Sequence, residues 1–325
     1  MELSYETWIL IHVNLNFKGK MPTFDRPLMI TCTGRSGSTV FYRILARHRD
    51  VGFLSTLNQQ FPTQPWLAMF SRMYSMQIFN GVRDHRLFPK PFSPYNFWQQ
   101  YLPEITRHDR PLVPDDVPKA SIEPLRQTVA NILKLQGKKR FLMKVTGWSR
   151  MAYFECVFPG LRFIYLKRLP RDVVSSWIQA GWLNVTATPD SDSWEWGKIP
   201  HEYIKVWREM GKKPILAAAI KTQLDIDDIR QNMALFPGRC TELNYEDFVK
   251  DPVPILREVL KFCELEWYPE FEQIIKRTEI YNFADKWKKF MTEEEGELIA
   301  EFYARINRAN HADRAKSPQP VYQPA

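Results

Sequence analysis

The sequence predicts an α/β fold, a three-layer sandwich with a central parallel sheet. Three observations carry that expectation. Residues 28–33 and 162–167 are short and almost continuously apolar, as strands covered on both faces are. Segments of helical period lie between the strand-like runs, the alternation that builds parallel sheets. A small polar loop with two glycines ends the first run and opens a helix, which makes an anion cradle of P-loop-like form.

In chain order, residues 8–17 (WILIHVNLNF) alternate too much with polar groups for a signal sequence and read as a strand. Residues 28–33 form the next strand, and Thr33-Gly-Arg-Ser-Gly-Ser-Thr39 follows it. Gly34 and Gly37 let the backbone approach a ligand closely. Ser36, Ser38 and Thr39 add hydroxyl donors, and Arg35 adds a fixed charge with several donors. Val40, Phe41, Ile44 and Leu45 then repeat at helical spacing, which predicts a helix over 39–48. An ordinary strand-to-helix turn would use the same small residues. A nucleotide P-loop would need Gly-x4-Gly-Lys-Ser/Thr. Here the basic residue comes early, at Arg35, and Ser38 stands in the lysine position. The loop therefore suits a phosphate ester held without the usual magnesium arrangement, and no metal is expected.

Residues 58–120 are dense in Pro and aromatics, which excludes long helices and stiffens loops. They read either as an irregular surface insertion or as a lid or wall for a substrate. Helical segments are predicted at 121–136, 149–157, 171–180 and 214–235, and strands at 141–145 (FLMKV), 162–167 (RFIYLK) and 240–244 (CTELN). In 163–177 the strand ends at Arg168, and Pro170 suits the first turn of the next helix. Arg168 and Ser176, eight residues apart, can converge on a second anion, although helix capping and a solvated Arg168 would explain them equally. Residues 243–262 read as a strand end, a turn and a Pro-started amphipathic helix. A second variable stretch covers 181–200, and the polar, Pro-rich tail 312–325 reads as disordered. With no repeat or domain break, the expectation is one domain over 1–311.

Composition narrows the function. The 325 residues are 44% hydrophobic, enough for a sizeable core, and a net charge of +8 favours an acidic ligand or surface. The longest Lys/Arg block is Lys138-Lys139-Arg140, and no zinc-finger or RNP signature occurs, which argues against nucleic acid. Four dispersed cysteines suit reduced thiols. No stretch approaches the ~20 apolar residues of a membrane span. The expectation is a cytoplasmic protein without membrane contact; its oligomeric state is not written in the sequence.

The three motifs, in this order, resemble the sulfotransferases that use 3′-phosphoadenosine 5′-phosphosulfate (PAPS). The loop Thr33–Thr39 resembles that family's 5′-phosphosulfate loop in its Arg-Ser-Gly-Thr version, with Ser38 where Thr is usual. Arg168 and Ser176 match the Arg and Ser that hold the 3′-phosphate, at the same spacing. Leu-Asn-Tyr-Glu-Asp matches a downstream Tyr-Glu-Asp segment, which places Tyr245 near adenine. Lys286-Trp287-Lys288 resembles, weakly, a basic Trp-containing segment near the C-terminus. The resemblance implies the sulfotransferase fold, a PAPS donor released as 3′,5′-ADP, and transfer to a hydroxyl or amine of a small-molecule or glycan acceptor. Its nucleotide site would comprise Gly34, Arg35, Ser36, Gly37, Ser38, Thr39, Arg168, Ser176 and Tyr245. The two anion sites would be separate pockets gripping opposite ends of the nucleotide.

Lys144 lies 24 residues before Arg168. In the cytosolic branch a Lys at that offset contacts the transferring sulfuryl group, so the resemblance makes Lys144 and Arg35 catalytic. The base of that branch is a His two residues later, where this chain has Thr146. Membrane-bound branches place a catalytic Glu downstream of the first loop, and residues 53–62 hold no carboxylate there. The base is thus unassigned, with His85, His108 and His201 as candidates and Asp84 and Asp109 behind them. Two other classes fit part of the pattern: a magnesium- and nucleotide-dependent kinase of related fold, and a nucleotide binder without catalysis.

Overall fold

Five strands pair into one sheet. They are β1 (Leu28–Cys32), β2 (Val51–Phe53), β3 (Arg140–Thr146), β4 (Arg162–Lys167) and β5 (Cys240–Asn244). Every pairing is parallel, and the strand order is β2-β3-β1-β4-β5. The structure is a computed structural model and describes residues 22–79, 81–182, 188–191, 194–281 and 286–316. The 8–17 strand reading and residues 317–325 lie outside the described residues.

β1 sits in the centre and is wholly buried, which is why its sequence shows no polar face. Its side chains still alternate. Leu28, Ile30 and Cys32 pack with Phe41, Ile44 and Leu45 of α1 (Ser38–Leu45) on one face of the sheet. Met29 faces the other side, among Phe141, Met143 and Phe163 and the helices α2 (Lys119–Gln136) and α3 (Met151–Val157). A third cluster joins α4 (Pro170–Gln179), α5 (His201–Glu209), α6 (Ile215–Ala234) and α10 (Glu293–Lys316) around Trp207, Leu216 and Phe302. After β5 come α7 (Tyr245–Lys250), α8 (Pro252–Phe262) and α9 (Pro269–Arg277). The helices and the sheet form the expected three layers, with α10 running through Lys316.

The strand β2 is absent from the sequence reading. Its three residues give no periodicity, and Gly52 interrupts them. The glycine is needed: a Cβ there would come 2.5 Å from Leu133 Cδ2 of α2. The Gln136 amide then closes this edge strand, accepting from Phe53 N at 3.0 Å and donating to Phe53 O at 2.7 Å.

Residues 58–118 split in two. The 3₁₀ turn Pro65–Ser75 exposes Trp66, Met69 and Phe70, whereas Phe97, Trp98, Leu102 and Ile105 sink into the second core cluster. So part of the segment is structural. Another part, with Tyr74, Arg83 and Asp84, lines a cavity beside α1. All four cysteines are free thiols. Among the described residues, no helix is long and apolar enough to cross a membrane.

Candidate active site

At the carboxyl end of the sheet, β1 delivers the chain into a curled loop. Arg35 and Gly37 both have left-handed backbone conformations, φ 69° and 76°. For Arg35 that costs about 1–2 kcal/mol, which its surroundings must hold in place. Gly37 meets a further demand, because a Cβ there would stand 2.2 Å from Tyr245 Cε2. Neighbouring elements tie the loop's carbonyls back. Trp177 Nε1 of α4 donates to Gly34 O at 3.2 Å, and Arg168 Nη1 donates to Arg35 O at 2.9 Å. Thr33 Oγ1 and Ser36 Oγ share a 2.5 Å hydrogen bond beneath the loop. The loop thereby ends at the positive end of α1, where an anion is favoured.

Arg168 stands just past β4, 4.8 Å above the Tyr245 ring and 3.9 Å from Asp172, whose side chain is 3% exposed. Glu246, from the Tyr-Glu-Asp segment, accepts from Leu169 N at 3.0 Å and so fixes the turn from β4 into α4. Arg35 Nε donates to Ser176 Oγ at 3.0 Å. The loop and the Arg168–Ser176 pair are therefore in direct contact. They are walls of a single cavity of about 360 Å³, not two separate pockets. Gly34 to Thr39, Lys144, Arg168 and Ser176 all line it. Tyr245 lines a second cavity that meets the first at Gly37 and Thr39.

Lys144 donates to Thr39 Oγ1 at 3.2 Å, across from β3 onto the start of α1. Burial, chiefly, holds its ammonium below the ordinary lysine value of 10.5, with the Arg43 charge acting the same way and Cys32 opposing. Desolvation also pushes the neighbouring Cys32 thiol up to about 11. Four cations, Arg35, Lys144, Arg168 and Lys286, line the cavity against one carboxylate, Asp172. That imbalance, with the loop, fits a ligand carrying several negative charges, and so fits a doubly phosphorylated adenosine.

The sequence reading overlooked Trp182, Gln179 and Phe290, which also line the cavity. Trp182 lies 5.4 Å from Arg35 and packs edge-on against Trp177, so this aromatic wall props the loop. Their positions, in a helix end and a variable stretch, carried no motif. Lys286 and Trp287, from the segment of weak C-terminal likeness, also line the cavity. His85, His108 and His201 line neither cavity among the described residues. His108 lies 5.4 Å from Trp196, with Nε2 3.6 Å from Glu195. Of the acids named with them, Asp109 pairs with Arg107, and Asp84 lines the second cavity and pairs with Arg43.

Residues 27–269 match the family model described as the sulfotransferase family. No curated protein matches the sequence. Among solved structures, the chain is similar to sulfotransferase STF9 of Mycobacterium avium, with TM-score 0.53 and 14% identity over 92% of this chain and 80% of that one. It is similar to the sulfotransferase domain from the curacin biosynthetic pathway, with TM-score 0.50 and 17% identity over 87% and 99%. Sulfotransferase STF1 of Mycobacterium tuberculosis H37Rv gives TM-score 0.50 and 14% identity over 90% and 80%. These structures share the fold of this chain.

Proposed function

The chain belongs to the sulfotransferase family, and from that premise we propose that it moves a sulfuryl group from PAPS to a hydroxyl or amine of a small-molecule or glycan acceptor. The observation that carries this reading is the shared cavity, where the loop, Lys144, Arg168 and Ser176 meet within hydrogen-bond reach of one another.

The donor supplies an activated sulfur–oxygen bond, whose bridging oxygen gains negative charge as the group departs in line. Transfer of this kind depends on positioning and charge neutralisation more than on covalent help. Lys144 presents a half-buried ammonium beside Thr39, at the loop end nearest β3. Arg35 presents a guanidinium held by Ser176. Both cations are preplaced, so little reorganisation is needed as charge develops. Arg168, steadied by Asp172 and Tyr245, supports 3′-phosphate recognition, and Tyr245 supports an adenosine position at the mouth of the second cavity.

The direct test is a thermal-shift comparison without magnesium. The expected result is stabilisation by 3′,5′-ADP and none by ATP at equal concentration; the reverse rejects the reading. One observation favours a second reading, a nucleotide binder without turnover: Thr146 stands in the cavity wall, and no His or Glu lines it among the described residues. Transfer of labelled sulfate from PAPS to any member of an acceptor panel excludes that alternative.

The depressed Lys144 pKa also sets a pH signature. A lysine whose folded value is lowered binds fewer protons in the native protein than in the unfolded chain. Without ligand, Lys144 therefore costs stability at neutral pH, and that cost fades as pH rises through its lowered value toward 10.5. An anion beside Lys144 favours its charged form, so nucleotide binding should take up a proton in that alkaline range. The expected measurement is a binding enthalpy that varies with buffer ionisation heat at alkaline pH, and that loses this dependence in Lys144→Met. A wild-type enthalpy independent of buffer would contradict it.

A further inference from the structure

Residues 51–83 contain no Asp or Glu, and neither do residues 124–154. The chain has 37 acids among 325 residues, enough to place several in each run if they were spread evenly. The fold packs these two acid-free runs together, with the 3₁₀ helix Pro65–Ser75 lying against α2.

A 3₁₀ helix has three residues per turn, so side chains three apart stack in columns. One column, Ala68, Ser71 and Tyr74, is buried. The next, Trp66, Met69 and Arg72, is exposed, with Trp66 53% open to solvent. Phe70 is exposed from the third column, and Ile78, in the turn beyond the helix end, is 85% exposed. Among the described residues, nine of the fifteen exposed large apolar side chains fall within 61–92. Single exposed apolar residues are ordinary, whereas such a concentration marks an interaction surface.

The surface turns cationic where the exposed column ends. A Cβ on Gly137 would lie 3.5 Å from Arg72 Nη2, so that guanidinium reaches the carboxyl end of α2. Lys134 and Lys139 are exposed at the same helix end. Among the described residues, no carboxylate stands within ion-pair distance of these three cations. Cations at a helix C-terminus complement its dipole, but that does not account for an exposed Trp, Met and Phe beside them.

We propose that this face docks the protein onto a lipid bilayer with anionic headgroups. Trp66, Met69 and Ile78 enter the interface, and Arg72, Lys134 and Lys139 meet the lipid phosphates. A bilayer offers apolar and anionic chemistry side by side, which matches an apolar column next to cations without acids. A side chain as prominent as Ile78 enters a deformable medium without needing a complementary hollow. Nucleic acid or an acidic glycan would satisfy the cations and leave the apolar column in water. The attachment is peripheral and needs no membrane-spanning helix. It departs from the absence of membrane contact expected from the sequence, and it is independent of the donor reading.

The test is sedimentation of the full chain with vesicles of phosphatidylcholine alone and with about one-third phosphatidylserine. Partitioning onto the mixed vesicles should exceed that onto the neutral ones about ten-fold, and should fall in about 0.5 M salt. Lys134→Gln with Lys139→Gln should lower it about 20-fold, since each basic residue near an anionic leaflet contributes about five-fold. Lys134→Arg with Lys139→Arg should keep it. Trp66→Ser with Ile78→Ser should lower it about ten-fold. All four side chains are exposed and line neither cavity, so melting temperatures and 3′,5′-ADP affinity should stay at their wild-type values. No sedimentation of the wild-type chain, equal binding to neutral vesicles, or binding untouched in both loss variants overturns the proposal. So does a dimer in light scattering that Trp66→Ser with Ile78→Ser dissociates, because a second copy then covers the face.

Discussion

Replacing Arg168 by alanine is expected to weaken 3′,5′-ADP binding about 10- to 100-fold while changing 5′-AMP affinity less than about three-fold. The two nucleotides differ in the 3′-phosphate alone, so their ratio isolates the group that Arg168 would hold. The guanidinium is aimed by three contacts: Arg35 O at 2.9 Å, the Tyr245 ring at 4.8 Å and Asp172 at 3.9 Å. Such pre-aiming means little conformational freedom is lost on binding. The small effect on 5′-AMP arises because Arg168 also steadies the Arg35 carbonyl and hence the loop. Calorimetry with both nucleotides decides the matter, and equal losses would remove Arg168 from the 3′-phosphate role. Since the substitution removes the guanidinium 3.9 Å from the buried Asp172, a melting curve should accompany the titration, with Arg168→Lys as the folded comparison.

Lys144→Ala should lower turnover about 10²- to 10³-fold with 3′,5′-ADP affinity changed by less than about three-fold. The split follows from where charge resides. The product nucleotide keeps its 3′-phosphate and its loop contacts, whereas the charge that Lys144 would meet is largest during transfer. Its ammonium is fixed by Thr39 Oγ1 at 3.2 Å and lies 5.8 Å from the centre of the Tyr42 ring. Single-turnover transfer of labelled sulfate to an acceptor measures the chemical step directly. Unchanged transfer would strike Lys144 from the catalytic residues, and an equally large loss of nucleotide affinity would make it a binding residue.

Much of the fold was legible because its central strands, β1 and β4, are buried on both faces. The runs 162–167 and 240–244 coincide with β4 and β5, and the helices agree to within a few residues. β2 was not legible, being three residues long and dependent on α2 to close its edge. The residues around the nucleotide site were legible as motifs, since a strand end, a glycine loop and a helix start are contiguous in sequence. What escaped was assembly. Spacing could not reveal that Arg35 and Ser176, 141 residues apart, touch, or that Trp182 leans on the loop. The arginines of the second cavity, Arg43 and Arg47, Arg83, and Arg277, come from three separate segments. A net charge of +8 shows that cations are in excess and says nothing about where they gather.

The hydrogen bond between Arg35 and Ser176 works as a latch across the cavity, joining its two walls. One partner belongs to the loop after β1 and the other to α4. A molecule with both anionic groups can take over each half as it opens. A nucleotide with one such group must still undo the latch and leaves a donor stranded on the other side. A ligand with two anionic groups is therefore expected to be preferred over one with a single such group, because only the former replaces this bond on both sides.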